Sequence, residues 1–303
     1  PSVPQSSPLV MRIIGAVALA HLINDLIQAV LPSIYPMLKA KYDLTFTQIG
    51  LITLTFQLTA SLLQPWVGYY TDRHPNPLLL PSGMVCTLIG ILMLSQVGSF
   101  PLILVAAALV GVGSSTFHPE ASRVARLASG GRYGLAQSTF QVGGNAGSAF
   151  GPLLAAAIII PFGQGNVAWF GLFALFAVGL LYVISRWYRN HLNLFKLKAG
   201  QKATHGLSKQ RVIGALVVLG LLVFSKYFYM ASLTSYYTFF LIEKFGVSIA
   251  NSQMYLFLFL GAVAAGTFFG GPIGDKIGRK AVIWFSILGV APFTLLLPYA
   301  DLF

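Results

Sequence analysis

The sequence contains little charge and almost no cysteine. Charged residues make up 9% of the 303 positions, whereas hydrophobic residues make up 56%. A soluble domain carries about 25% charged residues, because much of its surface must face water. The composition therefore excludes a soluble globular protein and indicates an integral membrane protein. The single cysteine, Cys86, excludes an intrachain disulfide and a cysteine-based metal cluster.

Enzyme motifs are also absent from the loops. We find no nucleophile–base–acid set, no phosphate-binding glycine loop and no metal-ligand spacing, so we predict neither an enzyme nor a resident cofactor or metal. The net charge of +12 does not indicate a nucleic-acid partner. Its Lys and Arg residues lie in short segments between apolar runs, which is the pattern that orients membrane proteins.

Nine apolar runs are each long enough to cross a bilayer as a helix of about 20 residues. The predicted spans are Ile13–Met37, Phe46–Tyr70, Leu78–Val97, Pro101–Arg123, Leu135–Ile160, Val167–Trp187, Val212–Ile242, Gln253–Gly271 and Ala281–Leu297. We therefore predict an all-α polytopic membrane fold. It has a six-helix N-terminal bundle (1–187), a basic cytoplasmic central loop (188–210) and a partial C-terminal bundle of three helices (211–303).

The distribution of Lys and Arg predicts the orientation of these spans. With a cytoplasmic N-terminus, only Lys39, Lys41 and Lys244 fall on the outer side, and Lys226 lies inside a span. The remaining Lys and Arg of the 19 fall on cytoplasmic ends and loops. This excess follows the positive-inside rule and predicts a cytoplasmic N-terminus.

Two loop segments indicate an internal repeat. Gly68, Asp72 and Arg73 end the second span, and Gly271, Asp275 and Lys276 end the eighth at one constant offset. Parallel repeats of this kind are a transporter architecture. The later segment runs Gly271-Pro-Ile-Gly-Asp275-Lys276-Ile-Gly278-Arg279-Lys280.

That segment resembles the signature G-x-x-x-D-[RK]-x-G-R-[RK] of the major facilitator superfamily, and the earlier one resembles its first half. The earlier segment departs at His74-Pro75-Asn76-Pro77, where a glycine and basic residues are usual. Gly147-Ser-Ala-Phe-Gly151-Pro152 resembles the G-x-x-x-G-P antiporter motif. The whole chain also resembles proton-coupled drug-efflux members of the family. The stretches that support this resemblance are 21–25, 113–120, 141–145 and 225–230.

The resemblance implies both a fold and a function. The family has twelve helices, so a sequence with nine spans that begins at Pro1 is expected to be a fragment. We expect a monomeric transporter of a bacterial inner membrane that exports a small anionic drug in exchange for protons by alternating access. Its partners are the substrate, protons and membrane lipid. The alternatives are a sugar or organic-anion importer of the same superfamily and a non-transporting membrane scaffold.

The resemblance also assigns roles to the loop motifs. The residues of the two repeated segments are expected to form cytoplasmic latches that hold the halves together when the outer side is open. The alternative is a basic loop that only orients the chain. Gly147, Gly151 and Pro152 are expected to serve close helix packing. The latch residues are Gly68, Asp72, Arg73, Gly271, Asp275, Lys276, Gly278, Arg279 and Lys280.

Ionisable residues within spans are costly and are therefore functional candidates. They fall on the first, fourth and seventh spans, which with the tenth surround the central cavity in this family. Asp25 is the first candidate for proton coupling, with Lys226 facing it across the cavity. A permanent ion pair between them is the alternative. The other ionisable candidates are His21, His118, Glu120 and Arg123.

Two questions about these spans have alternative answers. Glycines followed by Pro119 predict either a kinked helix whose backbone binds ligand, or a span end with a Glu120–Arg123 pair. Histidines near neutral pH can shuttle protons, and a packing role is the alternative for both. Gln141 and Asn145 are candidates for substrate contact, with polar helix packing as the alternative. Tyr229 is a candidate for lining the cavity.

Overall fold

The helices follow the apolar runs closely. A computed structural model describes residues 9–199 and 208–299, although the side chains of 193–199 and of several residues between 271 and 279 lie outside that description. The helices are α1 Met11–Ser33, α2 Tyr35–Tyr42, α3 Phe46–Gln57, α4 Leu63–Arg73, α5 Leu79–Gln96, α6 Phe100–Ala128, α7 Tyr133–Leu154, α8 Ile160–Phe162, α9 Phe170–Ala199, α10 Lys209–Phe245, α11 Ile249–Ile277, α12 Arg279–Leu288 and α13 Ala291–Leu296.

Within the described ranges, nine helical segments are long and apolar enough to cross a membrane. They are Met11–Tyr42, Phe46–Arg73, Leu79–Gln96, Phe100–Ala128, Tyr133–Phe162, Gln164–Leu192, Lys209–Phe245, Ile249–Gly270 and Lys280–Tyr299. A π-helical turn, Leu58–Leu62, joins α3 to α4, and another, Ala155–Ile159, joins α7 to α8. The predicted all-α class and the nine predicted spans are confirmed, and the chain is a multi-pass membrane protein.

Local sequence signals set several helix ends. Thr45 opens α3 with a capping box, in which its hydroxyl accepts from the Gln48 backbone and the Gln48 side chain accepts from the Thr45 backbone. Asp43 ends α2 in the left-handed region with φ 49°. Gly246 ends α10 in the same region with φ 63°, where glycine carries no steric penalty.

Helix α1 packs along α7 at very short range. A Cβ on Gly143 or Gly147 would overlap the backbone carbonyl oxygens of Ala18 and Leu22. Small residues at such positions let two backbones approach closely, which is how helices associate when both lie in lipid. The same face of α7 continues to Gly151, which contacts Ala29. The antiporter-like motif therefore lies in the α1–α7 contact.

The first six spans form one packed bundle. Helix α6 lies near its centre and contacts α1, α3, α4 and α5, while α9 packs against α1 and α5. The predicted boundary at 187 does not coincide with a helix end, because α9 continues as one helix to Ala199. The first part of the segment predicted as the central loop is therefore helical.

The seventh and eighth spans make the main contacts with this bundle. We call the end that carries Arg73 and Arg126 the basic end. At the opposite end, the Tyr35 hydroxyl lies 2.9 Å from that of Thr53, which lies 3.0 Å from the Ser235 hydroxyl on α10. The buried residues of α10 all lie in its second half, away from the basic end: Ser235, Thr238, Phe239 and Leu241.

Candidate functional site

Three ionisable side chains converge inside the N-terminal bundle. His21 and Asp25 lie one turn apart on α1, with His21 Nε2 3.2 Å from Asp25 Oδ2. Helix α6 brings His118 to the other carboxylate oxygen, with its Nε2 3.5 Å from Asp25 Oδ1. We call His21, Asp25 and His118 the His–Asp–His cluster. It joins three of the predicted site residues on two spans that are distant in sequence.

Main-chain carbonyls orient both imidazole rings. His21 Nδ1 lies 2.8 Å from the Phe140 carbonyl oxygen, and His118 Nδ1 lies 3.0 Å from the Ser114 carbonyl oxygen. A carbonyl oxygen can only accept, so each Nδ1 carries a hydrogen and donates it. The Nε2 atom of each neutral ring then presents its lone pair towards Asp25. The His21 ring is further fixed by stacking on Phe140, with ring centroids 4.0 Å apart.

Amide side chains complete the surroundings of Asp25. Asn24 Nδ2 donates to Asp25 Oδ1 at 3.0 Å, and Gln28 Nε2 donates to the same oxygen at 3.3 Å. The Ser114 hydroxyl in turn donates to Gln28 Oε1 at 3.2 Å. Asn24, Gln28 and Ser114 were not among the predicted site residues. A signal for Gln28 exists in the sequence, because it follows Asp25 at the i+3 position of the same helix.

A polar cleft of about 480 Å³ opens beside the cluster. His118 reaches this cleft, since its side chain is 26% exposed, whereas that of His21 is 1% exposed. His118 is therefore the member of the cluster that a molecule in the cleft can touch. Pro65, Pro119 and Phe140 form the apolar part of its lining. Hydroxyl and amide groups from α4, α6, α7 and the first π-helical turn form the polar part: Ser61, Gln64, Ser122, Gln137 and Gln141.

Helix α7 carries a polar stripe of Gln137 with the predicted residues Gln141 and Asn145, and this stripe faces the cleft in part. Gln137 Oε1 accepts from the Ser122 hydroxyl at 3.2 Å, and Gln141 Nε2 donates to Asn145 Oδ1 at 3.3 Å. Gln137 and Gln141 line the cleft, while Asn145 supports Gln141 from the next turn. The side chains of this stripe are thus partly available to a molecule in the cleft and partly hydrogen-bonded to one another and to α6.

A second ionic group lies nearer the basic end. Arg123 bonds to the fully buried Glu120, to Asp72 and, at 3.0 Å, to the Thr71 hydroxyl. Tyr188 of α9, which was not predicted, lies next to the Glu120–Arg123 pair. The latch residue Asp72 therefore has its partner within the first six spans. The position of Arg123 ties the end of α4 to α6.

The shape of α6 shows whether the helix is interrupted at Pro119. It runs without interruption from Phe100 to Ala128, so the backbone does not unwind at the proline. The Glu120–Arg123 pair of the alternative is present, but it is buried between helices and does not lie at an exposed span end. Gly68 on α4 packs beside Pro119, where a Cβ would lie 3.9 Å from the proline Cβ.

The remaining latch residues contribute less to these contacts. Arg73 is exposed and stacks on the Tyr69 ring at 3.6 Å. In the second latch, Gly278 separates α11 from α12 with φ 94°, and Lys280 is exposed. The surroundings of four predicted latch residues lie outside what the structure describes: Gly271, Asp275, Lys276 and Arg279.

The two predicted residues of the seventh span do not join the cluster. Lys226 is exposed on α10, and its ammonium lies 5.5 Å from the Tyr227 ring centroid. No ion pair within the described part of the chain joins Lys226 to Asp25. Tyr229 accepts a hydrogen bond from the Thr294 hydroxyl at 3.0 Å, so it contacts the ninth span.

The His–Asp–His cluster also has the composition of a metal site. One ligand atom from each of its three residues lies within 4.8 Å of the others. This site could not be predicted from sequence, because rules for metal ligands compare positions that are close along the chain. His118 comes from another helix and joins the cluster only through packing.

Two sequence relatives are similar over almost the whole chain. Residues 17–303 match the Major Facilitator Superfamily. The chain is 62% identical over 290 residues to the fosmidomycin resistance protein of Escherichia coli (strain K12), covering 96% of this chain and 71% of that protein. It is 40% identical over 302 residues to the uncharacterized MFS-type transporter YfnC of Bacillus subtilis (strain 168), covering 99% and 74%.

Two solved structures of a bacterial homologue of the human lysosomal transporter Spinster share the fold. The inward-facing and occupied form aligns with a TM-score of 0.68 at 17% identity, and the inward-facing and unoccupied form with 0.64 at 18%. The alignments cover 91% and 92% of this chain. The chain spans 63% and 64% of the length of those two proteins. At these identities the likeness concerns the fold alone.

Proposed function

The chain belongs to the major facilitator superfamily, and from that premise we propose that it exports a small anionic drug in exchange for protons. The family is one of transporters, which agrees with the prediction that the chain is not an enzyme. The observation that carries the proposal is the His–Asp–His cluster, which lies inside a membrane-spanning bundle at the edge of a polar cleft. Buried ionisable residues of this kind mark ion and substrate pathways.

The cluster has the chemistry needed to hold a coupling proton. Two imidazole Nε2 lone pairs face the two oxygens of one carboxylate, and a shared proton turns each such contact from repulsion into attraction. Asp25 shares the proton with the imidazoles, and His118 connects it to the cleft because its side chain is the most exposed of the three. His21 is enclosed by aromatic rings and serves as the inner partner of the carboxylate.

The cleft supports a small polar substrate. Its amides and hydroxyls supply hydrogen bonds, and the His118 imidazolium supplies a positive charge for an anionic group. The 62% identical relative is named for resistance to fosmidomycin, so fosmidomycin is the first substrate to test. A sugar or organic-anion importer of the same superfamily is the alternative.

We place the protein in the bacterial inner membrane as a monomer, with its basic end and its N-terminus in the cytoplasm. Alternating access then needs contacts between the halves that break and re-form. The hydroxyl contacts of Tyr35, Thr53 and Ser235 lie at the outer end in this orientation, which supports a state open to the cytoplasm. The two predicted latches would close the cytoplasmic side in the opposite state.

The test is Asp25→Asn in the full-length protein, expressed in a fosmidomycin-sensitive bacterium. We expect loss of resistance and loss of proton-driven drug uptake into inverted membrane vesicles, because the amide cannot take up and release the proton. Asp43→Asn is the matched control. Asp43 is exposed and left-handed at the end of α2, a conformation that asparagine tolerates, so resistance should persist.

Retention of both resistance and proton-driven uptake in Asp25→Asn, at wild-type abundance in the membrane, would overturn the assignment of Asp25. Expression of the wild type also separates the alternatives. An exporter lowers the sensitivity of the host to the drug, whereas an importer of the same compound raises it.

A further inference from the structure

We propose that His21, Asp25 and His118 form a binding site for a divalent transition-metal ion of the Zn²⁺ class. This site goes beyond the proposed transport function, because metal binding does not require that a drug be exported. It rests on the distances, orientations and surroundings of the three side chains.

The distances between the ligand atoms fit a shared metal ion better than direct hydrogen bonds. Zn²⁺ binds nitrogen and carboxylate oxygen at about 2.0–2.2 Å, which places neighbouring ligand atoms of a tetrahedron about 3.3–3.6 Å apart. The Nε2–Oδ distances are close to this range, at 3.2 Å from His21 to Oδ2 and 3.5 Å from His118 to Oδ1 of Asp25, and the three ligand atoms lie within 4.8 Å of one another. A direct hydrogen bond between imidazolium and carboxylate would be about 2.7–2.9 Å long.

Both histidines are held as metal-ligating histidines are. Such a residue binds metal through one ring nitrogen and donates its other N–H to a carbonyl or carboxylate, which fixes the tautomer and the ring angle. His21 donates to the Phe140 carbonyl and His118 to the Ser114 carbonyl. Two independent rings therefore aim unprotonated Nε2 atoms at the same carboxylate.

One ligand atom has no other partner. His21 Nε2 is buried and makes no hydrogen bond within the described part of the chain. An unsatisfied buried polar atom is costly, and a bound cation would satisfy it. The same cation would neutralise Asp25, which has amides and imidazoles around it but no Lys or Arg within ion-pairing distance among the described residues.

The donor types select the class of metal. Two imidazoles with one carboxylate suit Zn²⁺, Co²⁺ or Ni²⁺, whereas Mg²⁺ and Ca²⁺ prefer oxygen ligands. Three protein ligands leave further coordination positions, which water fills in open zinc sites. The cleft beside His118 gives the ion a path to the site and gives that water a place.

The test measures binding of Zn²⁺ and Co²⁺ to the full-length protein in detergent, without drug. The protein is purified through a histidine-free tag and treated with a chelator, and each ion is then titrated by calorimetry. We expect one ion per chain. The affinity for each ion should fall about tenfold or more in each of His21→Gln, Asp25→Asn and His118→Gln. Even the loss of a residue that only supports a metal ligand lowers affinity about 10–100-fold.

Two histidines elsewhere in the chain provide matched controls. His74 is exposed near the end of α4, and His191 stacks on Trp187 in α9. His74→Gln and His191→Gln should bind Zn²⁺ as the wild type does. Absence of binding by the wild type, or unchanged affinity in the variant that lacks all three cluster residues, would refute the site.

Spectroscopy of the metal-loaded wild type tests the same ligands without any variant, and therefore also applies where a variant does not fold. X-ray absorption of the Zn²⁺-loaded wild type should show imidazole ligands in a low coordination number, and Co²⁺ should give visible ligand-field bands of a four- or five-coordinate ion. A metal spectrum without imidazole scattering would contradict the proposal. Because no drug is present, these results are independent of whether Asp25 couples protons to export.

Discussion

The carboxylates of Asp25, which is partly buried, and Glu120, which is fully buried, have different surroundings in the bundle. Asp25 faces imidazoles and amides, which can change their protonation or their partner, next to an open cleft. Glu120 is fully buried and is bonded to Arg123, a permanent cation. The first environment suits a group that gains and loses a charge, whereas the second suits a fixed structural pair.

The fixed pair leads to a prediction at the residue scale. Arg123→Ala leaves Glu120 buried without its cation, and breaking a buried pair in this way costs about 3–5 kcal/mol. Thermal unfolding in detergent should show a clear loss of stability. Arg12→Ala, which removes an exposed arginine from α1, should unfold as the wild type does.

A double variant checks the cause of that loss. In Glu120→Gln with Arg123→Gln no charge is left buried, so part of the lost stability should return. Equal stability of Arg123→Ala and the wild type would show that the pair contributes nothing measurable.

At the scale of elements, the α1–α7 contact determines where the cluster lies. The absence of side chains at Gly143 and Gly147 brings α7 against α1, and this approach places the Phe140 carbonyl within reach of His21. Helix α6, which contacts both α1 and α7, then supplies His118. The ring orientation of His21 is therefore a consequence of glycines on another helix.

This contact can be tested with one methyl group. Gly147→Ala places a Cβ against the Leu22 carbonyl oxygen, and overpacking of this kind costs about 1–3 kcal/mol. Gly179→Ala on α9 is the matched control, since nothing lies within 4 Å of its added Cβ. Unfolding temperature should fall for the first variant and stay level or rise for the second. A tolerated Gly147→Ala would mean that the helices separate at little cost.

At the scale of the whole molecule, contacts between the halves lie at one end. Phe46 packs edge-on against Phe239 with centroids 5.3 Å apart, beside the hydroxyls of Thr53 and Ser235. Ala149 on α7 also packs with Leu256 of α11. Transport by alternating access requires these contacts to open once in each cycle.

A reversible crosslink tests that requirement. In a full-length Cys86→Ala background, Thr53→Cys with Ser235→Cys should form a disulfide or accept a short bridging reagent, because the two native hydroxyls are 3.0 Å apart. Drug efflux should stop on oxidation and recover on reduction. Each single cysteine variant should export under both conditions. Undiminished efflux by the crosslinked protein would show that this end does not open.

The sequence predicted the spans well and the site only in part, for a physical reason. Lipid selects apolar runs of a fixed length, so the number of spans and the all-α class follow from local composition. The spacing of His21 and Asp25 is likewise local. Three other features depend on how the helices are rotated about their axes, which packing sets and no periodicity in the sequence predicts. They are the contact of His118 with Asp25, the Asp72–Arg123 pair and the exposure of Lys226.

The Tyr35–Thr53–Ser235 chain also bears on how fast the protein could cycle. A net contribution of about 0.5–1.5 kcal/mol per hydrogen bond makes such a closure shallow. Serine and threonine hydroxyls in helices can also turn back to the carbonyl four residues earlier, as Thr59 does to Thr55 in the same span. The hydroxyls of Thr53 and Ser235 can thus bond to their own helices when the halves part, whereas the Tyr35 hydroxyl cannot. Among the described residues no ion pair joins these hydroxyls, so this part of the closure adds little to the barrier for opening.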